Sequence, residues 1–211
     1  MHDKLDLKRA EKSYFTAPAT GWEDRVFPAY SYLMVDGRGS PGDGTDYARA
    51  LAVLYPLAYA VKFLSKRALG RDYAVPPLEG LWWADDRAAY TQAGRRDEWR
   101  WTLMLMLPDW ITRPHVDEAR ATKRGPDLAA VRLAHHEEGQ CLSHMHLGPF
   151  ADEAPVLHHL HTKEMAARGL TFNGEHHEIY LSDPRKTPPE KLRTILRQPV
   201  RPLPAIAGPD V

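Results

Sequence analysis

Tyr30-Ser31-Tyr32-Leu33-Met34-Val35-Asp36, running directly into Gly37-Arg38-Gly39-Ser40-Pro41-Gly42-Asp43-Gly44, is the stretch that decides the fold. Tyr30, Tyr32 and Met34 alternate with Ser31, Leu33 and Val35, the period-two pattern of a strand with tyrosines on one face and aliphatics on the other. The glycines allow turns closed to other residues and stop the strand. They also spell Gly-x-Gly-x-x-Gly, nominally a dinucleotide fingerprint. That reading fails, because no acidic residue between Asp46 and Asp72 could reach a ribose, and Pro41 removes a donor that phosphate would need. A turn is the better reading. Thr45 or Asp46 then caps a helix to about residue 69, striped by Tyr47, Leu51, Leu54, Tyr55, Ala58 and Val61, with a kink expected at Pro56.

Outward from this unit the pattern extends and then recurs. Strands are expected at 78–83 and 99–107, the second apolar enough to be buried on both faces. Residues 112–138 read as short helices bridging two halves. Then 140–147 is strand-like, Gly148-Pro149 turns the chain, and Asp152 caps a helix to about residue 168. Gly169 ends that helix, and 170–172 and 176–181 supply strands around Asn173-Gly174. Both halves read strand, Gly/Pro turn, helix, strand, strand. The fold class is therefore α+β, with tandem pseudo-twofold modules and antiparallel sheets. The expected organisation is one domain over 1–211. It has an arm at 1–26, modules at 27–108 and 139–186, a helical connection at 109–138, and a C-terminal helix (190–197) and Pro-rich tail within 187–211.

Composition narrows the function. The chain has 211 residues, 28 basic and 28 acidic, with zero formal net charge. Its size allows burial of ~70% of the unfolded surface, and 43% apolar with 27% charged residues is a globular composition. Charge balance argues against nucleic acid, and the apolar run at 50–61 is too short to span a bilayer. A lone cysteine, Cys141, forbids an intrachain disulfide, and residues 1–11 lack the apolar core of a secretory signal. The expectation is a cytoplasmic protein, monomer or homodimer, with no nucleic-acid or membrane partner. Of the eleven histidines, nine cluster as His135-His136, His144/His146, His158-His159-x-His161 and His176-His177. No His-Glu-x-x-His motif occurs, so they read as surface and edge-strand residues, with no metal and no other cofactor.

Two glutamates stand out. Glu79 lies beside Leu81, Trp82 and Trp83 in one strand. In the other, His177, Ile179 and Leu181 form one face and His176, Glu178 and Tyr180 the opposite one. With the aliphatic face packed on helices, a carboxylate and a phenol would look into a concave, ring-lined surface. Such a surface suits flat, apolar or cationic ligands. Desolvation among indoles would raise the carboxyl pKa and make it a candidate proton shuttle. The competing reading pairs each glutamate with Arg or Lys across the sheet.

At these residues the chain resembles the GyrI-like small-molecule-binding proteins in their stand-alone form. The resemblance runs from about residue 5 to residue 200. It is carried by Phe27 to Pro41, Ala50-Leu-Ala-Val-Leu-Tyr55 with Lys62, Pro77-Leu-Glu-Gly-Leu-Trp-Trp83, Trp99 to Asp109, His146-Leu-Gly-Pro149, His176-His-Glu-Ile-Tyr-Leu-Ser-Asp-Pro184 and Lys191 to Arg197. It implies two strand-helix-strand-strand modules about a pseudo-twofold axis, with a ligand cleft between them. One subfamily hydrolyses cyclopropane-containing DNA alkylators in an aromatic cage. Transferred to this chain, the catalytic residues would be Glu178, Tyr180 and Glu79. Ligand contacts would come from Tyr55, Trp82, Trp83, Trp101, Tyr32 and His146. Phe150 departs from the family pattern, where tyrosine is usual, and Pro56 falls in a helix usually free of proline. A non-catalytic drug-sequestering or sensing protein, and a protein–protein inhibitor, are the alternatives the family offers.

Overall fold

The computed structural model describes residues 4–42, 44–86, 95–123 and 128–204. A short α1 (Leu7–Ala10) precedes β1 (Glu23–Phe27) and β2 (Tyr30–Arg38). After the glycine turn, Thr45 stands at the N-cap of α2 (Asp46–Ala68), which continues through Pro56 as a single helix. Two strands complete the first half, β3 (Glu79–Trp83) and the almost wholly buried β4 (Arg100–Leu107). The second half opens with α3 (Arg113–Thr122), β5 (Arg132–His136), β6 (Gly139–Leu147) and α4 (Glu153–His159). The helix runs on through a wider π turn at Leu160–Glu164 to Ala167. Then come β7 (Leu170–Phe172), β8 (His176–Tyr180) and β9 (Arg193–Pro202).

Two expectations are corrected. Residues 132–136, assigned above to a helical connection, form β5. The segment expected as a C-terminal helix is instead a 3₁₀ turn at Pro189–Lys191 followed by β9, which pairs with β6, β7 and β8. Buried positions run continuously from Thr194 to Val200, so β9 is covered on both faces. That burial overrides the helical spacing of Leu192, Ile195 and Leu196. Most of the expected Pro-rich tail, residues 205–211, lies outside the described residues.

The strands pair antiparallel in the order β1-β6-β9-β8-β3-β4-β2-β5, with β7 joined to β9, and an isolated parallel bridge links Leu5 to Tyr73. From the central β8–β3 seam the two directions read alike. Each passes through the last strand of its half, then the first, and ends on the strand that leads into the other half. Hence β1 precedes β2 but pairs with β6, and β5 precedes β6 but pairs with β2. This exchange fixes the shape. β1 ends at Phe27 and β2 starts at Tyr30, yet they stand six strand steps apart. Six steps across a flat sheet measure ~29 Å, and three virtual bonds reach ~11 Å at most. The sheet must curl.

The curl gives an inner and an outer face. Inside, one core joins side chains of seven strands, among them Phe27, Tyr32, Met34, Leu81, Met104, Met106, Met145, Ile179 and Ile195, around Tyr14 and Phe15 of the N-terminal arm. Outside, α2 covers β2 and β4 through Leu33, Val35, Leu54, Leu57, Val61, Leu103 and Leu105. The α4 segment covers β6 and β9 through Leu142, Leu157, Leu160 and Leu196.

Candidate functional site between the helices

Because each helix covers the outer strands of its own half, the β3–β8 seam lies between them. On this outer face β3 presents Gly80 and Trp82, and β8 presents His176, Glu178 and Tyr180. Register places Gly80 opposite Glu178 and Trp82 opposite His176. Gly80 is required here: a Cβ on it would come within 2.7 Å of the Trp82 indole nitrogen and 3.2 Å of the Tyr180 hydroxyl. The two side chains close over the glycine. The indole Nε1 donates to the Tyr180 oxygen at 2.9 Å, and that hydroxyl donates to Glu178 Oε2 at 2.8 Å. From α2, Tyr47 stacks on Trp82 with centroids 6.2 Å apart. From the other side Phe150 sets its ring edge-to-face with Tyr180 at 5.7 Å.

The electrostatics centre on two carboxyl groups. Glu153, in the first turn of α4, is buried close to Glu178 and Thr194, and its Oε1 has no hydrogen-bond partner among the described residues. Burial, then the Glu178 charge, pushes its carboxyl up to about 10, so it is neutral at physiological pH. His176 is buried, its Nε2 3.5 Å from Glu178 Oε1, and neither ring nitrogen has a hydrogen-bond partner among the described residues. Burial and the Glu178 charge also hold the phenols of Tyr180 and Tyr47 well above their ordinary range. The site therefore offers one carboxylate, one adjacent carboxylic acid and a wall of rings.

Glu79 does not share this site. Register sets it opposite Ile179, not Glu178, so its side chain enters the inner face. There its Oε2 accepts from the Tyr14 hydroxyl at 2.5 Å and lies 3.1 Å from His177 Nε2. His177 Nδ1 is 2.9 Å from Glu138, which accepts from Arg197 at 2.7 Å. Arg197 also donates to the Tyr14 carbonyl at 2.7 Å and lies over the Phe27 ring. Burial alone would discharge His177, but Glu138 and Glu79 reverse this and raise its pKa. The same imidazole and guanidinium hold Glu138 far below the carboxylate range despite its burial. Among the described residues Glu79 thus pairs with neither arginine nor lysine: its partners are Tyr14 and His177, and Arg197 joins the buried cluster through Glu138. His176 and His177 are interior, not surface, histidines.

The remaining expected residues divide by face. Trp82, Glu178 and Tyr180 meet on the outer floor, and Tyr55 of α2, like Tyr47, is half-buried against the outer core. Trp101 is fully buried behind them, its indole pressed over Gly37 and donating to the Gly39 carbonyl. His146 shares the outer face, in a row with Thr194 and Tyr180, its Nε2 3.1 Å from the Pro149 carbonyl. Tyr32 and Trp83 point inward; Tyr32 bonds Tyr14 at 2.8 Å. The aliphatic face of β8 packs inside the curl instead of on helices. Glu153 and Tyr47 were missed as site residues, since both look like ordinary first-turn helix positions.

A family model described as GyrI-like small molecule binding domain matches residues 112–201. Among solved structures, an uncharacterized conserved protein from Listeria innocua is 42% identical over 94% of this chain and 100% of its own, with a TM-score of 0.83. Two structures described as hydrolases, also from Listeria innocua, are 41% and 40% identical over the same shares, with TM-scores of 0.80 and 0.82. No curated protein matches the chain.

Proposed function

The chain belongs to the GyrI-like small-molecule-binding domain family, and from that premise we propose that it is a hydrolase of flat hydrophobic or cationic xenobiotics. The electrophile is a strained ring conjugated to a carbonyl, as in cyclopropane-containing DNA alkylators. One observation carries the reading: the buried Glu153 carboxyl set against Glu178, beside aromatic rings. Two carboxyl groups whose environments separate their protonation states supply an acid and a base together. The hydrolases among the Listeria relatives support a hydrolytic outcome.

Trp82 and Tyr47 hold the planar scaffold. Glu178 takes a proton from water as the water oxygen bonds to a ring carbon. The ring C–C bond breaks, its electron pair moves into the conjugated carbonyl, and that oxygen receives the Glu153 proton. Glu178 then carries a proton and Glu153 a charge, and one proton transfer between the neighbouring carboxyl groups restores the starting state. Tyr180 donates to Glu178 and accepts from Trp82, so it positions the base. Incubation with a cyclopropane-containing alkylator should give a product heavier by one water in mass spectrometry. Glu178→Gln and Glu153→Gln should each lower turnover ~10²- to 10⁴-fold while tryptophan quenching by the ligand still saturates. Recovery of unmodified ligand from the wild-type protein would leave only sequestration.

A further inference from the structure

Where β2 and β3 leave the sheet and β4 and β5 enter it, the inner face stops being apolar. A groove of about 720 Å³ opens there, lined chiefly by Asp36, Arg38, Trp83, Arg100, Thr102 and Arg132. Register sets three of these in one row: Trp83 opposite Arg100, and Arg100 opposite Arg38. Two arginines directly across a strand pair repel each other. Asp85 takes Arg100 at 2.6 Å, and Arg132 closes on Asp36 at 2.7 Å. Asp36 also accepts from Thr102 at 2.6 Å, and Asp46, the other acid of the lining, is paired with Arg49. The lining acids are thus matched. Arg38 makes no hydrogen bond or ion pair among the described residues, and its neighbour across β4 is a half-buried indole.

We propose that this groove binds a planar aromatic anion, its ring on Trp83 and its carboxylate or phosphate oxygens on Arg38 and Arg100. The openings of closed and curled sheets are favoured ligand sites. Guanidinium forks match oxyanions in two-point contacts, and an indole face provides stacking area. An oxyanion between Arg38 and Arg100 also relieves their repulsion. The site is on the opposite face of the sheet from Glu178 and stands apart from the hydrolase reading.

The test follows the tryptophan indole N–H resonances of the full chain during titration with 2-naphthoate, 2-naphthyl phosphate and uncharged 2-naphthamide. The Trp83 signal, identified by its loss in Trp83→Phe, should move saturably with an anion and not with the amide. The tighter of the two anions identifies the headgroup. Arg38→Gln should weaken binding about tenfold or more, and Arg38→Lys should weaken it less. Both variants should keep cleft turnover, since neither residue borders Glu178. No saturable Trp83 shift with either anion, equal shifts with the amide, or wild-type affinity in Arg38→Gln each overturns the proposal.

Discussion

At Gly80 a single hydrogen atom decides whether the cleft floor exists. Gly80→Ala places a methyl group 2.7 Å from the Trp82 indole nitrogen, so the indole must move and its bond to Tyr180 breaks. Stability should fall by ~1–3 kcal/mol, the usual cost of overpacking, and ligand quenching should weaken with it. Denaturant midpoints and quench titrations on the same sample check both. Glu153 shows the opposite balance. Its folded pKa lies above its unfolded value, so its contribution is present below the ordinary carboxylate range and is lost as pH rises toward about 10. Glu153→Gln removes that loss and should gain stability relative to wild type by up to ~1.4 kcal/mol per pH unit above roughly pH 4.5, while losing turnover. Equal pH slopes in urea melts of the two proteins would refute a protonated Glu153. A glutamate in a first helical turn usually answers the helix dipole, so nothing local in the sequence marked this one; its role comes from tertiary contact with Glu178. Glu79 and Glu178 looked equivalent for the same reason. Each sits in an apolar strand beside rings, and only cross-strand register, invisible in one sequence, sends them to opposite faces.

At the scale of elements, the inner cluster ties β3, β8, β9 and the β5–β6 turn to the N-terminal arm. His177, raised by Glu138 and Glu79, stabilises the fold below its ordinary pKa, and this is lost as pH climbs through the folded value. Glu138, lowered by His177 and Arg197, works the other way, and its contribution is lost as pH falls through its depressed pKa. Stability should therefore decline on both sides of a mildly acidic optimum. His177→Gln should cost ~3–5 kcal/mol near pH 6, as breaking a buried charge pair does, and flatten the alkaline decline. Urea melts across pH 5–9 measure both effects. The elements themselves were unevenly legible. β2, α2, β3 and β4 could be read because alternation, glycine turn and helical stripe agree at every step. β5 was missed because its Arg132-Leu-Ala-His-His sequence is that of an edge strand, too polar to show a period. In β9 the spacing of Leu192, Ile195 and Leu196 fits a helix equally well, and the deciding fact is burial on both faces by partners from elsewhere in the chain.

Across the whole molecule, the exchange of leading strands makes the halves interdependent although the sequence repeats. Three of the eight strand pairings among the described residues, β1–β6, β2–β5 and β3–β8, join one half to the other. A fragment of residues 1–108 would leave β1 without a partner, β2 with one open edge and the apolar β3 with another. Exposed strand edges of this kind are aggregation sites rather than stable surfaces. The fragment should therefore lack a cooperative melt and the near-ultraviolet dichroism of its buried tryptophans, and residues 109–211 alone should likewise lack a cooperative melt. Mixing the two should recover both signals. Function should return with them, because the cleft floor takes Gly80 and Trp82 from one half and Glu178, Tyr180 and Glu153 from the other. Independent cooperative folding of either fragment would show that strand exchange is incidental to stability. Recovery of structure without ligand quenching would instead separate the fold from the seam, and place the binding rings somewhere other than the β3–β8 junction.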